Sequence, residues 1–77
     1  MKDEKILLIV WEDACSHGED WQTRKGKFDL AKIHSVGYVL QETKKYITLC
    51  QCLDNEGNIC NTISIPRTSI TLTKELT

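Results

Sequence analysis

The sequence predicts an all-β domain of five short strands, and three observations carry that expectation. Eight Ile, three Val and eight Thr give 19 β-branched residues among 77, a quarter of the chain; such side chains suit a pleated surface and lose rotamer freedom in a helix. Short apolar runs alternate with polar turn clusters at regular spacing. The single proline, Pro66, falls at the end of an apolar run, where a missing ladder donor stops a strand. A chain of this length is one domain, residues 1–77, and buries only about 60% of its unfolded surface. It has no room for separate catalytic and substrate domains. With 40% hydrophobic and 27% charged residues, the composition is that of a soluble globular protein.

The first strand, Lys5 to Trp11, is apolar on both alternations. Ile6, Leu8 and Val10 face one way, Leu7, Ile9 and Trp11 the other, so both sides must be covered. The second, Ile33 to Glu42, places Val36, Tyr38 and Leu40 on one face, and Gly37 within it marks a bulge or a close backbone approach. Glu42-Thr43-Lys44-Lys45 turns the chain into a third strand, Tyr46 to Leu53, with Ile47, Leu49 and Leu53 on one face. Asp54-Asn55-Glu56-Gly57-Asn58 is the clearest turn and predicts a hairpin. The fourth strand runs Ile59 to Ile65. Pro66 to Ser69 is long enough for one 3₁₀ turn before a last strand, Ile70 to Thr73. This order predicts a small five-stranded SH3-like barrel with a long loop between strands 1 and 2, an OB-like barrel being the second topology.

That loop, Glu12 to Lys32, spans 21 residues with a weak helical pattern at Phe28-Asp29-Leu30-Ala31. Long loops inside compact domains are usually functional or disordered. Trp21 and Phe28 argue against disorder, so the segment is expected to fold over one end of the barrel and to hold the function. Charge is also uneven. Residues 1–22 carry two bases and six acids, residues 23–48 six bases and two acids, and residues 49–77 two bases and three acids, a total of −1. A total near zero argues against a protein built chiefly to hold nucleic acid.

Ile6 to Trp11 is too short an apolar run for a secretory signal or a membrane span. A cytosolic protein is therefore expected, with Cys15, Cys50, Cys52 and Cys60 as free thiols; two disulfides are the alternative that an even cysteine count allows in an oxidising compartment. Zinc is disfavoured: Cys50 and Cys52 share a strand face about 7 Å apart, too far for two ligands of one ion at a Zn–S distance near 2.3 Å. Buried cysteines acting as small hydrophobes are the simpler reading. Cys15 and His17 could pair as nucleophile and base, with Asp13 or Asp20 orienting the ring. Nothing predicts an oxyanion hole beside them, so no catalytic residue, cofactor or metal ligand is expected.

Two binding groups remain. Glu12, Asp13, Glu19 and Asp20 surround Trp21: an aromatic anchor rimmed by acids suits a basic protein partner. The plainer alternative turns Trp21 inward as a plug. Arg24, Lys25, Lys27, Lys44 and Lys45, with Lys32 between them, could instead hold a nucleic acid or nucleotide on Trp21, Phe28 or Tyr38, or simply form a solvated rim. A homodimer is a further expectation, through the two-faced first strand or an open sheet edge.

The series Val10-Trp11-Glu12-Asp13-Ala14, Gly18 with Trp21, Ser35-Val36-Gly37-Tyr38, Tyr46-Ile47-Thr48-Leu49, and Ile65-Pro66-Arg67 with Ile70 resembles a group of small uncharacterised bacteriophage and prophage proteins. Their patterns are W-x-D-[AS]…GW, S-V-G-[WY], Y-[IV]-x-L and I-P-[RK], and the resemblance runs from Val10 to Leu76. It implies a compact protein made in the cytosol of an infected bacterium, and it brings no catalytic residues. By analogy, it implies a non-enzymatic binding protein that inhibits a host factor such as an anti-phage defence component. A nucleotide-signal sponge is the alternative, and a zinc module the third reading.

Overall fold

The computed structural model describes residues 4–18 and 20–77. Its elements are β1 (Ile6–Asp13), β2 (Ala31–Glu42), β3 (Tyr46–Leu53), β4 (Ile59–Pro66), a 3₁₀ turn (Arg67–Ser69) and β5 (Ile70–Glu75). The five strands form one antiparallel sheet in the order β4-β3-β2-β1-β5. The fold is all-β; among the described residues there is no α-helix, and none long and apolar enough to cross a membrane. The sheet is open. β4 and β5 are its two edges and no ladder joins them, so the expected closure into a barrel is not present in the hydrogen bonding.

The sequence placed all five strands in order, and the β1–β2 connection is where the bounds move most. β1 continues through Glu12 and Asp13, and β2 begins at Ala31. Glu12 lies opposite Lys32 and Asp13 opposite Ala31, so an oppositely charged cross-strand pair carries the ladder past the apolar run. The connection is therefore residues 14–30, with no helical turn at Phe28–Ala31. β4 takes in Pro66, and β5 runs on to Glu75; an edge strand tolerates the proline.

The core is Leu7, Ile9 and Trp11 from β1 with Ile47 and Leu49 from β3 and Ile65 from β4, and Ile33, Val39 and Ile70 pack against it. On β2 the inward positions are thus Ile33 and Val39, not the Val36-Tyr38-Leu40 face. Val36 is 47% exposed. Between Ile33 and Val39 stand two small residues: Ser35, whose Oγ accepts the Trp11 indole N–H at 3.1 Å, and Gly37, which lies against β3. β1 is buried on both faces at its centre: Ile9 is buried on one side of the strand and Val10 on the other.

Gly37 is a close approach. A Cβ there would lie 2.6 Å from the Cys50 carbonyl oxygen and 3.1 Å from Leu49 Cβ. At this point β2 changes partner. Residues 31–38 pair with β1, and residues 38–42 pair with β3, with a register shift between Val39 and Gln41. Such a bulge bends a strand and raises its twist. The β1–β2 and β3–β4 hairpins therefore part at Gly37 and Cys50, and the molecule is elongated, 52 × 21 × 20 Å.

The hairpin turns are built from side chains. Asp54 Oδ1 accepts the N–H groups of Glu56 (2.9 Å) and Asn58 (2.8 Å), and Oδ2 accepts the Asn58 amide (3.0 Å). The Asn58 side chain first, then these backbone donors, hold the Asp54 carboxyl below its ordinary pKa. At the other end of the sheet, Arg67 donates its backbone N–H to the Lys45 carbonyl (2.9 Å) and its Nε to that of Thr43 (2.8 Å). These bonds tie the 3₁₀ turn to the β2–β3 turn.

Candidate interaction site

Every described residue of the 14–30 loop is exposed, so the loop does not fold over an end of the sheet. Two turns shape it. Gly18 adopts φ +96°, a conformation that disfavours other residues, and the Gln22 side-chain amide reaches back to the His17 carbonyl. Four residues on, the Gly26 N–H donates to the Thr23 carbonyl at 3.3 Å. Trp21 sits between the two turns with its side chain fully in solvent, 103% exposed. It plugs nothing. Phe28 is half-exposed and packs edge-on against the His17 ring, centroids 5.4 Å apart at 80°.

The acidic group divides between strand and loop. Glu12 and Asp13 are exposed at the end of β1, where Asp13 Oδ1 accepts the Ala14 N–H at 2.8 Å. Asp20 is exposed next to Trp21. Glu19 lies outside the described residues. An open cleft of about 430 Å³ at the loop base is lined by Glu12, Phe28, Asp29, Leu30 and Lys32. The sequence pattern at Phe28–Ala31, a weak helical one, singles out neither Asp29 nor Leu30. Their signal is position, directly before β2 and so across from the acidic end of β1.

The basic group is split. Arg24, Lys25 and Lys27 are on the loop, while Lys44 and Lys45 belong to the β2–β3 turn at the opposite end of β2. Lys32 pairs across the ladder with Glu12. A polynucleotide contacting both sets has to run the length of β2. Tyr38, another candidate platform, is a ladder residue half-buried between Ile6 and Cys50.

The remaining chemistry is sparse. All four cysteines are free thiols. Cys15 lies by the Ser16 carbonyl at 3.6 Å, while the His17 ring is packed on Phe28. Among the described residues no three or more His, Cys, Asp or Glu side chains are grouped so as to hold a metal ion. Where the hairpins part, a second open cleft of about 330 Å³ is lined by Ser35, Val36, Cys50, Gln51, Asn61 and Thr62, among others. Asn61 there has φ +58°, a left-handed conformation that asparagine tolerates better than most residues. Burial foremost, then the nearby Cys52 and Glu4, push the Cys50 thiol pKa up, which keeps it protonated and inert.

Comparison with protein-family models, with curated proteins and with solved structures gives no significant match. What the chain does has to be read from its own residues.

Proposed function

We propose that this chain is a non-enzymatic binding protein of SH3-like build that engages a partner protein through Trp21. The strand order, with a 3₁₀ turn before a last strand that returns beside β1, supports the SH3-like assignment. The observation that carries the function is the full exposure of Trp21 on a shaped loop. A solvated indole in a free protein is costly surface, and on binding it offers roughly 150–250 Å² for burial. Asp20 beside it, with Glu12 and Asp13 at the loop base, selects a basic partner surface and speeds encounter. By its resemblance to phage and prophage proteins, the partner is a host protein such as an anti-phage defence component, inhibited by occlusion.

A second reading draws on Arg24, Lys25 and Lys27, which share the loop with Trp21 and Phe28. A single strand or a nucleotide could stack there over a cationic rim. One experiment separates the two. Tagged wild type and a Trp21→Ala, Asp20→Lys double variant are used to recover partners from bacterial lysate, and both are titrated with a labelled single strand at low salt. The expected result is a protein retained by the wild type, lost at least tenfold by the variant, and no strand binding by either. Equal recovery of every protein by both chains overturns the proposal, and salt-sensitive strand binding replaces it with the second reading.

A further inference from the structure

The β3–β4 hairpin carries three of the four cysteines, and its register sets two of them face to face. Cys52 and Cys60 are directly opposed on antiparallel strands, and both are exposed free thiols. Opposed residues in an antiparallel pair have Cα atoms about 4.5–5.5 Å apart, inside the window of roughly 4.4–6.8 Å that a disulfide requires. Cys50 shares their face but lies two residues from Cys52 along the strand, about 7 Å away, and is buried. Cys15 is on the 14–30 loop, outside this ladder.

We infer that Cys52 and Cys60 form a paired-thiol site that peroxide closes to a disulfide, stapling the free half of the β3–β4 hairpin. Beyond Cys50, β3 has lost β2 as a neighbour, so residues 51–61 are held by the β3–β4 ladder and by the bonds of the Asp54 turn. That ladder has a gap: the register passes from Cys50–Thr62 to Cys52–Cys60 with Gln51 and Asn61 unpaired, Asn61 in its left-handed conformation. The opposed thiols are the first rung beyond the gap. A covalent bond there acts directly beside the gap in the ladder, and on β4, an open edge.

The step balances. One thiolate attacks a peroxide oxygen; the O–O bond breaks, a sulfenic acid forms and one water leaves after protonation. The second thiol then attacks the sulfenic sulfur, the S–S bond forms and the second water leaves. Two thiols are oxidised by two electrons and one hydrogen peroxide is reduced to two waters. A dithiol reductant reverses it.

The test uses the full chain with Cys15→Ser, which removes the loop thiol as a source of intermolecular links. The reduced protein is treated with stoichiometric hydrogen peroxide, then cut after Glu56, which separates Cys52 from Cys60. The expected result is a mass loss of two hydrogens and fragments that stay joined until reductant is added. The link persists in a Cys50→Ala variant and vanishes in Cys60→Ser. The midpoint of thermal unfolding rises by roughly 10 °C, from the loop-closure entropy of so short a loop. Three outcomes overturn the inference: thiols oxidised without a link, a link that requires Cys50, or a bridged protein that melts no higher than the reduced one.

Discussion

Trp11 and Trp21 stand ten residues apart in the chain and meet opposite fates. Trp11 is 8% exposed, in the core with its indole N–H on Ser35, whereas Trp21 is wholly in solvent. The difference is one of register, not of residue type. Trp11 occupies a core-facing position of a central strand, opposite Ile33, and finds both apolar neighbours and a partner for its one polar atom. Trp21 lies past the end of that ladder, between two turns, where no layer exists to cover it. In so small a domain only what the sheet reaches is stabilising. The rest of the apolar surface is free for contact with other molecules.

The largest expected effect falls on the buried member of the pair. Trp11→Ala removes a core side chain and leaves Ser35 without its donor, at a cost of about 3–5 kcal/mol. That is a large share of the stability of a domain this size, about 4–12 kcal/mol, and all of it at the low end of that range. A urea titration followed by far-UV circular dichroism checks it. A loss below about 1 kcal/mol would mean that Trp11 does not hold the core.

Next in size is the hand-over point that separates the two hairpins. Gly37→Ala sets a Cβ 2.6 Å from a backbone oxygen that no rotamer change can move, so β2 and β3 must separate. The expected cost is about 2–3 kcal/mol, read in the same titration. A neutral substitution there would show that β2 approaches Cys50 less closely, and the parting of the hairpins would need another cause.

The sequence carried the five strands along the chain well, because β-branched runs, the Asp54–Asn58 turn and Pro66 are local signals. It carried Gly37 as a bulge or a close approach; the structure makes it the close approach, with the bulge two residues on. What it carried poorly depends on pairing. The larger residues Val36, Tyr38 and Leu40 share one face of β2, but the core lies on the other, where Trp11 bonds Ser35 and Gly37 lets β3 approach, and the shift after Val39 breaks the alternation. Whether the sheet closes depends on how β4 and β5 are placed, and no local pattern encodes that. The loop tryptophan was legible as a candidate; its exposure was not, because composition cannot say whether an aromatic has a layer to lie against. The opposed cysteines were legible only through the predicted hairpin: Cys52 and Cys60 are equidistant from the Asp54–Asn58 turn, and the ladder register confirms that they face each other.

The smallest effect on stability belongs to Trp21, and that smallness is its diagnostic value. Trp21→Ala removes a side chain with no burial to lose, so the unfolding free energy should stay within about 0.5 kcal/mol of wild type. The same variant should change the fluorescence sharply. The long-wavelength, acrylamide-accessible emission of the solvated indole disappears, leaving the blue-shifted, protected emission of Trp11. If the substitution instead destabilises the fold by more than about 1 kcal/mol, or leaves quenching unchanged, Trp21 has a resting place on the sheet and its role as an anchor fails. If stability holds while the exposed signal is lost, the loop is energetically independent of the core. A partner that buries Trp21 then gains the full contact area without first detaching it from its own protein.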